Sequence, residues 1–187
     1  MEYIKYTVSA DISTDEYIRD YVNIEEFLGF CRQCPNYGKV WSCPPYDFDP
    51  MEIWRRYDLL HIEGTVIKLP EEEVCIKRTP EEIRRIEEEI LMAEKSLLSD
   101  RLYIMEDENS LSLSAGCCTL CTGCTRPSGK ECRHADKMRY SLESLGANVG
   151  LTCSKLLGVT LEWVAENHLP HQICLISGLL KWDCRVR

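Results

Sequence analysis

The sequence contains no uncharged apolar run approaching the roughly 18 residues that a membrane span needs, so no membrane association is expected. Its first residues, Met1-Glu2-Tyr3-Ile4-Lys5, lack the basic stretch and following apolar stretch that mark a secretory leader. A cytoplasmic location is the resulting expectation. An excess of positive charge is also missing: 22 Lys and Arg stand against 31 Asp and Glu, for a net charge of −9. Such a chain repels phosphate backbones, which argues against nucleic-acid binding, and it disfavours an anionic membrane surface for the same reason. There is no glycine-rich phosphate loop, no Ser/His/Asp order and no H-E-x-x-H helix, so the usual sequence signs of those chemistries are absent.

What is present is a globular chain with an unusual amount of sulfur. Its 187 residues suit one domain with a sizeable core, and 44% hydrophobic with 28% charged residues are globular values. Twelve cysteines are hard to explain as disulfides in a reducing compartment. Any one of them can be a small buried apolar residue. Eight of the twelve, however, fall in two short stretches, and that clustering points to metal.

The remaining pattern places those stretches on loops. Tyr3 to Val8 alternates as a strand, and a helical pattern from Thr14 or Asp15 carries Tyr17, Ile18, Tyr21, Ile24 and Phe27. Asp49-Pro50 starts a helix with Ile53, Trp54 and Tyr57, and Leu59 to Leu69 reads as a strand. Thr79-Pro80-Glu81-Glu82 forms a capping box for a helix running to about Leu98. Its expected inward face is Ile83, Ile86, Ile90, Ala93 and Leu97, with Arg84, Arg85 and the many acids facing solvent. Asn109 to Ala115 should be a strand, followed by short helices over Ser141 to Leu145 and Leu151 to Leu157 and a last strand over Ile173 to Leu180. The expected fold is α/β: a single layered domain, 1–187, with a small mixed sheet, helices packed on it, and cysteine loops at about 31–45 and 116–134.

In the second loop, Cys118, Cys121 and Cys124 form C-x2-C-x2-C, and Cys132 follows across a Pro127-Ser128-Gly129 turn. Bacterial ferredoxins use that run to hold a [4Fe–4S] cluster with a fourth cysteine from elsewhere. Zinc is the alternative, through Cys118, Cys121, Cys132 and His134, but it would leave Cys124 unused. Arg126, Lys130 and Arg133 surround the loop and would offset the charge of a tetrathiolate cluster, or simply be surface residues. The first loop supplies Cys31, Cys34 and Cys43, one thiolate short of a full set. Cys117 is a candidate fourth, Cys75 and Cys153 are others, and three ligands with one open iron remain possible. Cys174 reads as core and Cys184 as core or terminal. Tyr37 and Trp41 are read first as packing residues, with shielding of a cluster as the functional alternative.

The words Cys31-x2-Cys34-Pro35-Asn36-Tyr37-Gly38, Trp41-Ser42-Cys43-Pro44-Pro45, Ala115-Gly116-Cys117-Cys118-x2-Cys121-x2-Cys124, Cys132-Arg133-His134 and Ser141-x-Glu143-x2-Gly146 together resemble a family of uncharacterised predicted metal-binding proteins of anaerobic bacteria and methanogenic archaea. The resemblance covers the chain from about Phe30 onward. It implies a metal or iron–sulfur protein of anaerobic metabolism and names no reaction. Two departures are visible: Ala135 stands where proline is expected after His134, and Ala147-Asn148-Val149 where Ile-Asp-Val is usual, which puts a carboxylate role at position 148 in doubt.

Among the histidines, His134 follows a candidate ligand and is the one with a functional case; His61 reads as structural, and His168 and His171 have no case. Three functions follow as expectations. The first is a protein with two [4Fe–4S] clusters that passes single electrons to or from a redox partner, docking through its acidic surface. The second is an enzyme whose first cluster has an open iron for substrate. The third is a zinc-stabilised binding or scaffold protein.

Overall fold

The computed structural model describes residues 1–182, so Cys184 lies outside the described residues. Four strands, β1 (Ile4–Ser13), β2 (Leu59–Lys68), β3 (Ser110–Leu113) and β4 (Gln172–Lys181), form one sheet in the order β1-β2-β4-β3. Every pairing is antiparallel. The expected layered arrangement of helices on a small sheet is therefore present, but the sheet is not mixed. The reason is topological. A long helix does connect β2 to β3, as the strand–helix–strand order implied, yet β4 inserts between them and pairs with both. This split arrangement leaves two like-directed strands separated by an opposed one.

Alternation along β2 and β4 feeds two cores. Leu60, Ile62, Val66 and Ile176 face the side covered by α1 (Thr14–Tyr21), α3 (Pro50–Trp54) and the 140–157 segment, where Tyr17, Trp54, Leu142 and Leu145 are buried. Ile67 and Leu175 face α5 (Pro80–Met105) through Ile83, Ile90, Leu98 and Leu102. Among the described residues no helix is long and apolar enough to cross a membrane.

The helical pattern expected from Thr14 onward is two helices. Asn23 interrupts it, donating its backbone N–H to Gly146 O (2.9 Å) and capping α2 (Ile24–Cys31) through its side chain. A short α4 (Glu71–Val74), not apparent in the sequence, precedes α5. The capping box of α5 forms as expected: Thr79 Oγ1 accepts from Glu82 N (3.3 Å), and Glu82 Oε2 accepts from Thr79 N (2.8 Å). Replacing Thr79 by Ala should therefore cost about 1 kcal/mol, read as a lowered urea midpoint with unchanged slope.

The inward face of α5 differs from the expectation. Ala93 and Leu97 are exposed, and Glu94, Lys95 and Leu98 are buried instead. Helical periodicity weighted by hydrophobicity selects the apolar residues, whereas the true stripe carries two charges that each have a partner. Glu94 accepts from Lys5 Nζ (2.8 Å) and Tyr3 Oη (2.7 Å). Burial opposes ionisation of Glu94, but the bonds from Lys5 and Tyr3 outweigh it and hold the carboxyl below its usual value. Lys95 donates to Cys117 O (2.7 Å), which ties α5 to the second cysteine loop.

Candidate metal centre

The first loop begins where α2 ends. Cys31 closes that helix, and Cys34 N donates to Cys31 O (3.0 Å) in the following turn. The loop folds back on itself through Gly38 N to Pro44 O (2.8 Å), with Gly38 at φ 69° and a cis bond between Pro44 and Pro45. Tyr46 donates to Ser42 O (2.8 Å) and anchors the return. The second loop is delivered by β3: Ser114 N donates to Tyr140 O (2.8 Å), and Gly116, at φ 66°, turns the chain into Cys117.

The two loops are stitched together by side chains that reach polar backbone. Ser42, 1% exposed, accepts from Cys118 N (2.8 Å). Arg126 donates to Val40 O (2.8 Å) and also to Cys43 O and Pro45 O. Its guanidinium lies 5.2 Å from the Trp41 ring centre, and Trp41 Nε1 donates to Thr125 Oγ1 (3.3 Å) and Lys130 O (3.2 Å). Trp41 is thus a packing residue, as expected first. Arg126 is more than a nearby surface charge, because it satisfies three carbonyls of the first loop. Arg133 donates to Gly123 O (3.0 Å) within the second loop.

The stitching leaves four cysteines around one cavity of the second loop and Cys117 beside the first loop. Cys118, Cys121, Cys124 and Cys132 line one cavity of about 350 Å³ together with Trp41 and His134. Burial pushes the Cys118 thiol up, and the charges of Cys132, Cys121 and Cys124 push it further, with a backbone bond from Leu120 opposing. In the first set, burial pushes Cys43 up to about 12, reinforced by the charges of Cys117, Cys34 and Cys31 and opposed by Ser42. Cys31 is raised by burial, then by Glu143 and Cys34. Cys117 therefore sides with the first loop and Cys118 with the second.

Groups of thiols that oppose one another's ionisation are donor sets that a cationic centre would relieve. Among the described residues, no three Cys, His, Asp or Glu side chains converge closely enough to hold a single metal ion.

The other candidates fall outside both sets. Cys75 is exposed, 3.6 Å from Glu71 Oε1. Cys153 is buried and lies 3.7 Å from Cys174. Cys174 packs against the core, as expected, and is partly exposed as well. His61 pairs with Asp11 (2.7 Å), His168 with Val74 O (3.0 Å), and His171 with Glu162 (3.2 Å). Asn148 caps a short helix, α6 (Val149–Leu151), by accepting from Leu151 N (2.8 Å). That role needs an oxygen, not a carboxylate, so asparagine serves.

Two residues near the centre were not singled out from the sequence, Lys95 and Glu143. Glu143 is raised by burial, against bonds from its own backbone, Ser141 and Gly116 and the charge of Lys95. It links the 143–145 turn to Gly116, immediately before Cys117. Lys95 was hidden on a helix read as solvated there; Glu143 lay inside a recognised motif without an obvious task.

The comparisons agree with this geometry at the level of metal binding. The model of a family described as predicted metal-binding protein (DUF2284) matches residues 17–180. The chain belongs to that family. No curated protein and no solved structure matches it.

Proposed function

We propose that the protein carries two [4Fe–4S] clusters and passes single electrons in the metabolism of an anaerobe. Cys31, Cys34, Cys43 and Cys117 would hold one, and Cys118, Cys121, Cys124 and Cys132 the other. The observation that carries this reading is the division of eight cysteines into two groups of four, split between neighbours Cys117 and Cys118. Each cluster, when bound, supplies one-electron oxidation and reduction. The chain's own residues fix the distance between the two sites through Ser42 and Arg126, and they seat Trp41 against the second. A complete set of cysteines on each side leaves no iron open, which favours electron transfer over substrate binding at iron. The partner is a redox protein with a basic docking patch, matched to the −9 net charge of this chain.

Iron, acid-labile sulfide and zinc per chain, measured on protein purified without oxygen, test the reading. About eight irons and eight sulfides are expected. Zinc without sulfide would replace it with a structural zinc protein.

A further inference from the structure

Outside the two cysteine sets the fold brings together a second pair of thiols. Cys153 Sγ and Cys174 Sγ lie 3.7 Å apart, one on the turn of helix over 152–156 and the other on β4, and neither belongs to a cysteine set of the metal centre. A thiol of one bonds to the sulfur of the other, so the pair shares a proton: Cys153 is held below the ordinary thiol value, and Cys174 is pushed up by the same bond and by burial. Gly64 makes the room, since a Cβ there would stand 3.5 Å from Cys174 Sγ and 3.0 Å from Leu157 Cδ1.

Cys174 also opens on a cleft of about 1270 Å³, counting its open mouth, which Cys153 does not line. The cleft follows β4 over the stretch that β3 leaves unpaired, since β3 covers only Gly178 to Lys181. Apolar walls come from Leu91, Leu161 and Trp163, and Lys95, Gly116 and Glu143 line it as well. Lys95 donates to Cys117 O and Gly116 precedes Cys117, so the cleft reaches from Cys174 to two residues that adjoin Cys117.

We propose that Cys153 and Cys174 are a dithiol–disulfide centre that turns the single electrons of the two clusters into two-electron reduction of a small organic disulfide bound in this cleft. The proposal rests on the two-cluster reading. Cys174, the partly exposed member, passes its proton to Cys153 as its sulfur attacks one sulfur of the substrate; that S–S bond breaks, and the leaving thiolate takes up a proton from solvent. Buried Cys153 then attacks the Cys174 sulfur, closing the Cys153–Cys174 disulfide and releasing the second thiol. Clusters held by the two cysteine sets, once reduced by a one-electron donor protein, would supply one electron each. Two electrons and two protons break the Cys153–Cys174 bond and restore both thiols.

The test uses the cluster-loaded protein without oxygen, with cystamine as the disulfide. Iron and sulfide are assayed first, so that missing clusters are recognised as failure of the two-cluster reading, and thiol mapping is done regardless. One equivalent of cystamine should cost the wild-type protein two thiols and give a cross-linked Cys153–Cys174 peptide. In Cys153→Ser the adduct should stay trapped on Cys174. With both clusters reduced, cystamine should reoxidise two cluster electrons per molecule, and Cys174→Ser should slow this at least about tenfold. Full iron and sulfide with no Cys153–Cys174 cross-link in the wild type would overturn the proposal. So would cluster reoxidation at an unchanged rate in Cys174→Ser.

Discussion

Replacing Cys117 by Ala and, separately, its neighbour Cys118 by Ala is expected to remove different clusters. Each variant should retain about four of eight irons per chain, but not the same four. Cys43 feels the charge of Cys117, Cys34 and Cys31, while Cys118 feels Cys132, Cys121 and Cys124. Loss of Cys117 should therefore be mimicked by Cys43→Ala, and loss of Cys118 by Cys121→Ala, with matching spectra of the surviving cluster within each pair. Stability should fall in all four, because free energy of metal binding is free energy of folding. The larger fall belongs to the second set, which has little regular structure beyond one turn of 3-10 helix at Arg126–Ser128. Identical residual spectra for Cys117→Ala and Cys118→Ala would mean that both serve one cluster, and the division into two sets would be abandoned.

The grouping of cysteines was legible in the sequence because ligand spacing is a local property. So were the caps, since Thr79 with Glu82 and Asp49 with Pro50 depend on residues within a turn of each other. Cys117 is a candidate for the first set from the sequence, but 73 residues separate it from Cys43 in the numbering, and it takes contacts of the fold, from Ser42, Arg126 and Trp41, to bring the two loops together. The buried stripe of α5 was misjudged for a related reason. Glu94 and Lys95 are buried only because Lys5, Tyr3 and Cys117 O meet them, and those partners are remote in sequence. The Cys153–Cys174 pair is invisible in the same way: Cys174 reads as a small core residue and Cys153 as a spare candidate ligand, and only the fold sets them 3.7 Å apart.

Gly146→Ala should be the most damaging single change outside the cysteines, lowering stability by about 3 kcal/mol or more. Gly146 sits at φ 89°, where a side chain is strained. An added Cβ would also lie 2.7 Å from Ile24 Cγ1 and 2.8 Å from Ile24 Cα. The second contact is with backbone, so no rotamer change relieves it; α2 itself must move. That helix is held at its start by Asn23 N to Gly146 O (2.9 Å), with the end of α1 just before it held by Asn148 N to Tyr21 O (2.7 Å), and it ends at Cys31. A shift at Ile24 is thus carried down two turns to a candidate ligand of the first cluster. The variant should lose that cluster faster on exposure to a chelator, while the Cys118 set is retained. Gly29→Ala, in the same helix, is the control. Nothing lies within 4 Å of a Cβ there, so it should be neutral or gain up to about 1 kcal/mol from helix propensity. Anaerobic urea unfolding and chelator kinetics on the two variants separate the ideas. Equal loss in both would point to α2 tolerating no change at all, whereas a stable Gly146→Ala protein would show that α2 is free to move without disturbing Cys31.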